Sequence, residues 1–137
     1  MQWEFAAELL SCLHGRVNTA IETSGYADED AFRAVIDRCD FVYMDLKLMD
    51  CEKHKAYTGV YNDRILQNAA YLKACGKPHT FRTPLIPSIT DTEENLAAIC
   101  TFVGDDSWEQ LPYNTLAPAK YASVGRRYRY SLPEKHS

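Results

Sequence analysis

The sequence has no long apolar run. Nothing in its 137 residues approaches the ~18 consecutive apolar positions needed to span a bilayer, and no signal peptide is visible, so a cytoplasmic protein is expected. Excess positive charge is missing too. Fifteen Lys and Arg stand against nineteen Asp and Glu, a net charge of −4, which argues against nucleic acid as the main partner. The one basic cluster, Arg126-Arg127-Tyr128-Arg129-Tyr130, is short and reads as a solvated tail. Close cysteine pairs are absent. Cys12, Cys39, Cys51, Cys75 and Cys100 are odd in number and form no CxxC or CxxxC, so neither a disulfide framework nor a zinc site is supported. Reduced thiols, mostly buried on helices and at strand ends, are expected. His14, His54, His79 and His136 have no metal-ligand spacing either, and each reads as a surface or helix-end histidine. There is no linker, low-complexity segment or short-period repeat.

What remains is an ordinary soluble composition, 46% apolar and 25% charged, arranged in an alternating pattern. Helical spacing over 5–13 stops at Gly15, and strand-like alternation over 17–23 ends at Ser24-Gly25. A helix is expected over 28–39 behind acidic residues, then a strand over 41–47 and a short helix over 51–57 ending at Gly59. Asn62 or Asp63 would cap a helix over 64–75, followed by a strand over 79–87. Thr90 or Asp91 would cap a helix over 91–103 with Glu93-Glu94 in its first turn. A last strand over 108–114 and an irregular tail complete the chain. Alternating strands and helices indicate successive βα units on a parallel sheet. About four strands are too few for a (β/α)₈ barrel, so residues 1–137 read as one incomplete α/β domain, part of a barrel.

In such architectures sites form at the carboxyl ends of the strands. The unusual polar residues gather there: Glu22, Thr23 and Ser24 after the first strand, Asp45 and Lys47 after the second. Arg82 lies on the third strand, and Pro112-Tyr113-Asn114 on the fourth. In "DFVYMDLKLMD" (40–50), Asp45 and Lys47 are two residues apart and so share a face with Tyr43. Alone, they could be a local ion pair, Arg82 could be a structural guanidinium paired with a neighbouring strand's carboxylate, and Tyr113 could be packing. Together, a carboxylate, a hydroxyl, an ammonium, a guanidinium and a carboxamide on one rim suit a zwitterionic or anionic small molecule.

"TAIETSGY", "DFVYMDLKLMDCEKHKAYTG", "RTPLIPSITDTEENL" and "LPYNTLAPAKYASVGRRY" occur in order. As a set they resemble the glycyl radical enzyme activating enzymes, radical S-adenosylmethionine proteins of the pyruvate formate-lyase activating type. The resemblance runs from about Phe5 to Tyr130. It implies the C-terminal part of a (β/α)₆ partial TIM barrel. The complete protein would hold a [4Fe–4S] cluster, cleave S-adenosylmethionine reductively and form a glycyl radical on a partner enzyme. By the same resemblance, Lys47 would hold the methionyl carboxylate. Asp45, Glu22 and Thr23 would lie beside the methionyl group and could share a monovalent cation. Arg82 would balance negative charge along the cleft, and Asn114 would contact the nucleoside. Asn114 stands where the family often has histidine, which removes a group that titrates near neutrality. Glu22 and Ser24 stand where better-known relatives have Asp and Asn.

The family's CxxxCxxC loop and its Gly-Gly-Glu segment are not in this sequence. The chain is therefore expected to supply part of the cofactor rim without assembling the cluster, and to have no catalytic residue of its own. Two other classes of function compete. One is a non-catalytic half-barrel that binds a ligand or self-associates through open barrel edges. The other is an aldolase-like fragment with Lys47 as a Schiff-base nucleophile, which Asp45 disfavours by holding the amine charged.

Overall fold

The computed structural model describes residues 2–113 and 117–126. Chain order is α1 (Trp3–Leu13), β1 (Ala20–Thr23), α2 (Glu29–Ile36), β2 (Phe41–Asp45), α3 (Cys51–Thr58), α4 (Asp63–Ala74), β3 (His79–Pro84), α5 (Glu93–Val103), β4 (Trp108–Leu111) and α6 (Ala117–Ser123). The strands form one sheet in the order β1-β2-β3-β4, and every neighbouring pair is parallel. The expected α/β architecture of four parallel strands alternating with helices is present.

Strand alternation divides the sheet into two unlike faces. Val42, Met44 and Phe81 are fully buried against Phe32, Val35 and Ile36 of α2, Ile65, Ala69 and Leu72 of α4, and Ile99 and Val103 of α5. The opposite face carries Glu22, Tyr43, Asp45, Arg82 and Glu109, which the register aligns across the four strands. Tyr43, Asp45 and Arg82 are half-buried, while Glu22 and Glu109 are exposed. Parallel sheets ordinarily have both faces covered. Among the described residues, helices cover one.

Several local expectations need correction. The first strand begins at Ala20, because its pairing starts with Ala20 opposite Phe41; Val17 and Asn18 alternate in sequence but have no neighbouring strand. The side chain that caps α5 is Thr92, which accepts from the Asn95 amide. Thr90 instead turns inward, and Asp91 accepts from the Ser88 amide. Asn62 occupies the N-cap position of α4 without capping it. The second and third strands end two and three residues early, at Asp45 and Pro84, and the fourth at Leu111. The tail contains α6. The five cysteines are free thiols, but only Cys39 is buried, and burial raises its pKa above the ordinary thiol value. His54 is also buried and shares Nδ1 with the Val60 carbonyl and the Thr58 hydroxyl, so it is no surface histidine.

Candidate functional site

The carboxyl ends of β1, β2 and β3 bring the expected charged residues onto one side of the sheet. Asp45 Oδ2 lies 3.2 Å from Lys47 Nζ, with both side chains about a third exposed (38% and 33%). An ion pair this wet contributes at most about 1 kcal/mol. Stability is thus a weak reason for placing these charges at the mouth of the sheet. Arg82 is aligned with Asp45 in register but turns elsewhere. Its guanidinium lies over the Tyr43 ring at 4.8 Å and reaches Glu22 on β1, Nη1 to Oε1 3.0 Å. Glu109 on β4 stands 3.5 Å from its Nε. Arg82 therefore spans the sheet from β1 to β4, supported by an aromatic face. Nε is buried and, among the described residues, forms no hydrogen bond.

The remaining expected residues are placed differently. The Thr23 hydroxyl accepts from the Gly25 amide at 3.0 Å and closes the turn after β1. Glu22 and Asp45 face Arg82 and Lys47 respectively, so these three residues are not drawn together around a common point. Asn114 lies outside the described residues.

Sequence reasoning missed the residues that hold the rim in place. Each loop at the carboxyl end of the first three strands is pinned by a buried polar side chain. For the loop after β1, Asn68 of α4 donates to the Gly25 and Ala27 carbonyls at 2.8 and 3.0 Å. For the loop carrying Lys47, Asn95 of α5 donates to the Lys47 carbonyl at 2.8 Å and accepts from the Met49 amide at 3.0 Å. Asn62 donates to the carbonyls of Leu48 and Met49, and the Thr83 hydroxyl donates to that of Leu46. After β3, Thr90 donates to the Pro84 carbonyl and accepts from the Ile86 amide. Loops left alone would bury unpaired carbonyls; these side chains satisfy them and fix where Lys47 stands. The available signal was Asn68 in the middle of a helix, where asparagine is a poor former.

No group of three or more His, Cys, Asp or Glu among the described residues is arranged to hold a metal. The donor set fits a zwitterionic small molecule: a partly exposed ammonium, a guanidinium and carboxylates within one face.

With that geometry in place, similarity to known proteins sets the class. The fold matches a crystallised domain of pyruvate-formate lyase-activating enzyme from Bacteroides vulgatus with a TM-score of 0.74 and 26% identity, over 82% of this chain and 74% of that one. No family model matches. More particularly, the chain is 37% identical to the 4-hydroxyphenylacetate decarboxylase activating enzyme of Clostridioides difficile, over 96% of this chain and 43% of the relative. It is 40% identical to the isethionate sulfite-lyase activating enzyme of Nitratidesulfovibrio vulgaris, over 81% of this chain and 38% of the relative. These relatives are glycyl radical enzyme activating enzymes, and the chain is homologous to a portion of them. It spans less than half the length of these two curated relatives.

Proposed function

We propose that this chain forms part of the S-adenosylmethionine rim of a glycyl radical enzyme activating enzyme. The complete protein would act in the cytoplasm on a glycyl radical enzyme. The observation that carries this reading is the pair of charge contacts, Asp45–Lys47 and Glu22–Arg82, standing on the uncovered face of a parallel sheet. Lys47 would take the cofactor's carboxylate as a compact cation, a charge-assisted contact of ~1.5–3 kcal/mol. Asp45 would sit beside the positively charged amino and sulfonium groups. Arg82, which bridges Glu22 and Glu109, would balance negative charge along the cleft. Asn114 would contact the nucleoside. When bound, the cofactor supplies a 5′-deoxyadenosyl radical; the residues of this chain bind and orient it.

A cluster would have to be ligated by residues outside this sequence. Anaerobic reconstitution with iron and sulfide tests this directly. The chain alone should yield no stoichiometric, S-adenosylmethionine-responsive cluster by electron paramagnetic resonance, whereas the complete protein containing it should. A stoichiometric, responsive cluster on these 137 residues alone would refute the assignment.

A further inference from the structure

Tyr43 stands in the middle of the open face, and the cofactor reading gives it no part. It is half-buried, with Glu22 opposite it on β1 and Thr80 opposite it on β3. Phe41, on the same strand and face, packs against its ring at 4.9 Å between centroids. The guanidinium carbon of Arg82 lies 4.8 Å from the centroid of the same ring.

The partners that Arg82 takes are unexpected. The residue directly opposite it on β2 is Asp45, and side chains so placed on one face are close enough to pair. The Asp45 side chain is 38% exposed. Arg82 nevertheless turns to Glu22 and Glu109, whose side chains are 77% and 52% exposed. Water screens a charge pair, so the drier carboxylate at hand should attract the guanidinium more strongly. Lys47, 3.2 Å from Asp45, does not account for the choice, because one carboxylate can accept from two cations. The Tyr43 ring does. It is level with Glu22, so a guanidinium lying over it is leaned back along β2, away from Asp45 and toward β1. Attraction between the cation and the ring face offsets the weaker pull of the wetter carboxylates. The charges are thereby partitioned, Arg82 with Glu22 and Glu109, and Lys47 with Asp45.

We propose that Tyr43 is a positioning residue for the cofactor site. By holding Arg82 over its ring it keeps that cation off Asp45, which leaves the Asp45 carboxylate for the positive groups of the cofactor. This rests on the reading above that the rim takes S-adenosylmethionine. The test compares the complete protein as wild type, Tyr43→Phe, Tyr43→Leu and Tyr43→Met, in crystal structures and in equilibrium dialysis of labelled S-adenosylmethionine. The two variants without a ring differ in shape, and each should release Arg82 to salt-bridge distance from Asp45. Each should also raise the dissociation constant about 5-fold, the scale of one cation–π contact. Tyr43→Phe keeps the ring face, so Arg82 should stay in place and the dissociation constant should remain within about twofold of wild type. A ring that served packing alone would leave Arg82 on Glu22 in the variants without it. A role for the phenol hydroxyl would be lost in Tyr43→Phe. Arg82 still directed at Glu22 without the ring would overturn the proposal. So would a dissociation constant that Tyr43→Leu and Tyr43→Met leave unmoved while Lys47→Ala raises it. A constant that Lys47→Ala leaves unmoved as well removes the cofactor reading itself, and the positioning role with it.

Discussion

Asp40 shows how a single exposed carboxylate can be read in terms of pH. Its Oδ2 accepts from the Thr19 amide at 2.7 Å and from the Thr19 hydroxyl at 3.2 Å, tying the approach to β1 to the start of β2. These bonds favour the carboxylate, the backbone one most, and lower its pKa below the ordinary 3.8. A lowered folded-state value means the contribution is present above about pH 3.8 and is lost as pH falls through that lowered value. Asp40→Asn keeps an acceptor and loses the titration, so its urea midpoint should fall less than the wild type's between pH 5 and pH 2, by roughly the Asp40 share of the acid limb. Gly25 makes a steric counterpart. Its φ is +73°, and an added Cβ would stand 2.1 Å from Met44 Cε. Gly25→Ala should cost about 2 kcal/mol in urea unfolding, part from the left-handed backbone and part from crowding. Met44→Ala in the same chain should relieve the crowding part only, which a double-mutant cycle would show.

Among the elements, α5 matters more to the rim than its distance in sequence suggests. Asn95 satisfies the Lys47 and Thr90 carbonyls and the Met49 amide together. Asn95→Ala should therefore destabilise the fold by about 2–4 kcal/mol, because three buried groups lose their partner at once. Exposed-face substitutions on the same helix, such as Glu94→Ala, should stay within about 0.5 kcal/mol. Chemical denaturation compares the two. The order and type of the elements through β4 were legible in the sequence, since periodicity reports which face of a helix or strand is buried. Strand ends were not: alternation from Val17 onward looks the same whether or not a partner strand lies alongside, and pairing begins only at Ala20. Nor were the pins. That Asn62 bonds the loop at Leu48 and Met49 rather than capping its own helix depends on where α4 packs, which no local pattern carries.

On the scale of the whole molecule, the telling feature is asymmetry. Val42, Met44 and Phe81 on one face are fully buried beneath helices, while the other face holds ionic and aromatic side chains that range from half-buried Tyr43, Asp45 and Arg82 to exposed Glu22 and Glu109. Convergence of Glu22, Asp45, Lys47 and Arg82 on one rim was readable from strand ends alone. The path of Arg82 across Tyr43 to a carboxylate sixty residues away in sequence was not, because the sequence aligns it with Asp45 equally well. A relative more than twice as long shares this segment nearly end to end. No helix among the described residues is long and apolar enough to cross a membrane.

The central claim is that this rim holds S-adenosylmethionine, with Lys47 on its carboxylate. Equilibrium dialysis of labelled S-adenosylmethionine against the complete protein, wild type and Lys47→Ala, tests it most directly. The account predicts a dissociation constant raised about 10-fold or more by the loss of one charge-assisted contact, with unchanged circular dichroism. An unchanged dissociation constant in a folded Lys47→Ala protein would contradict it.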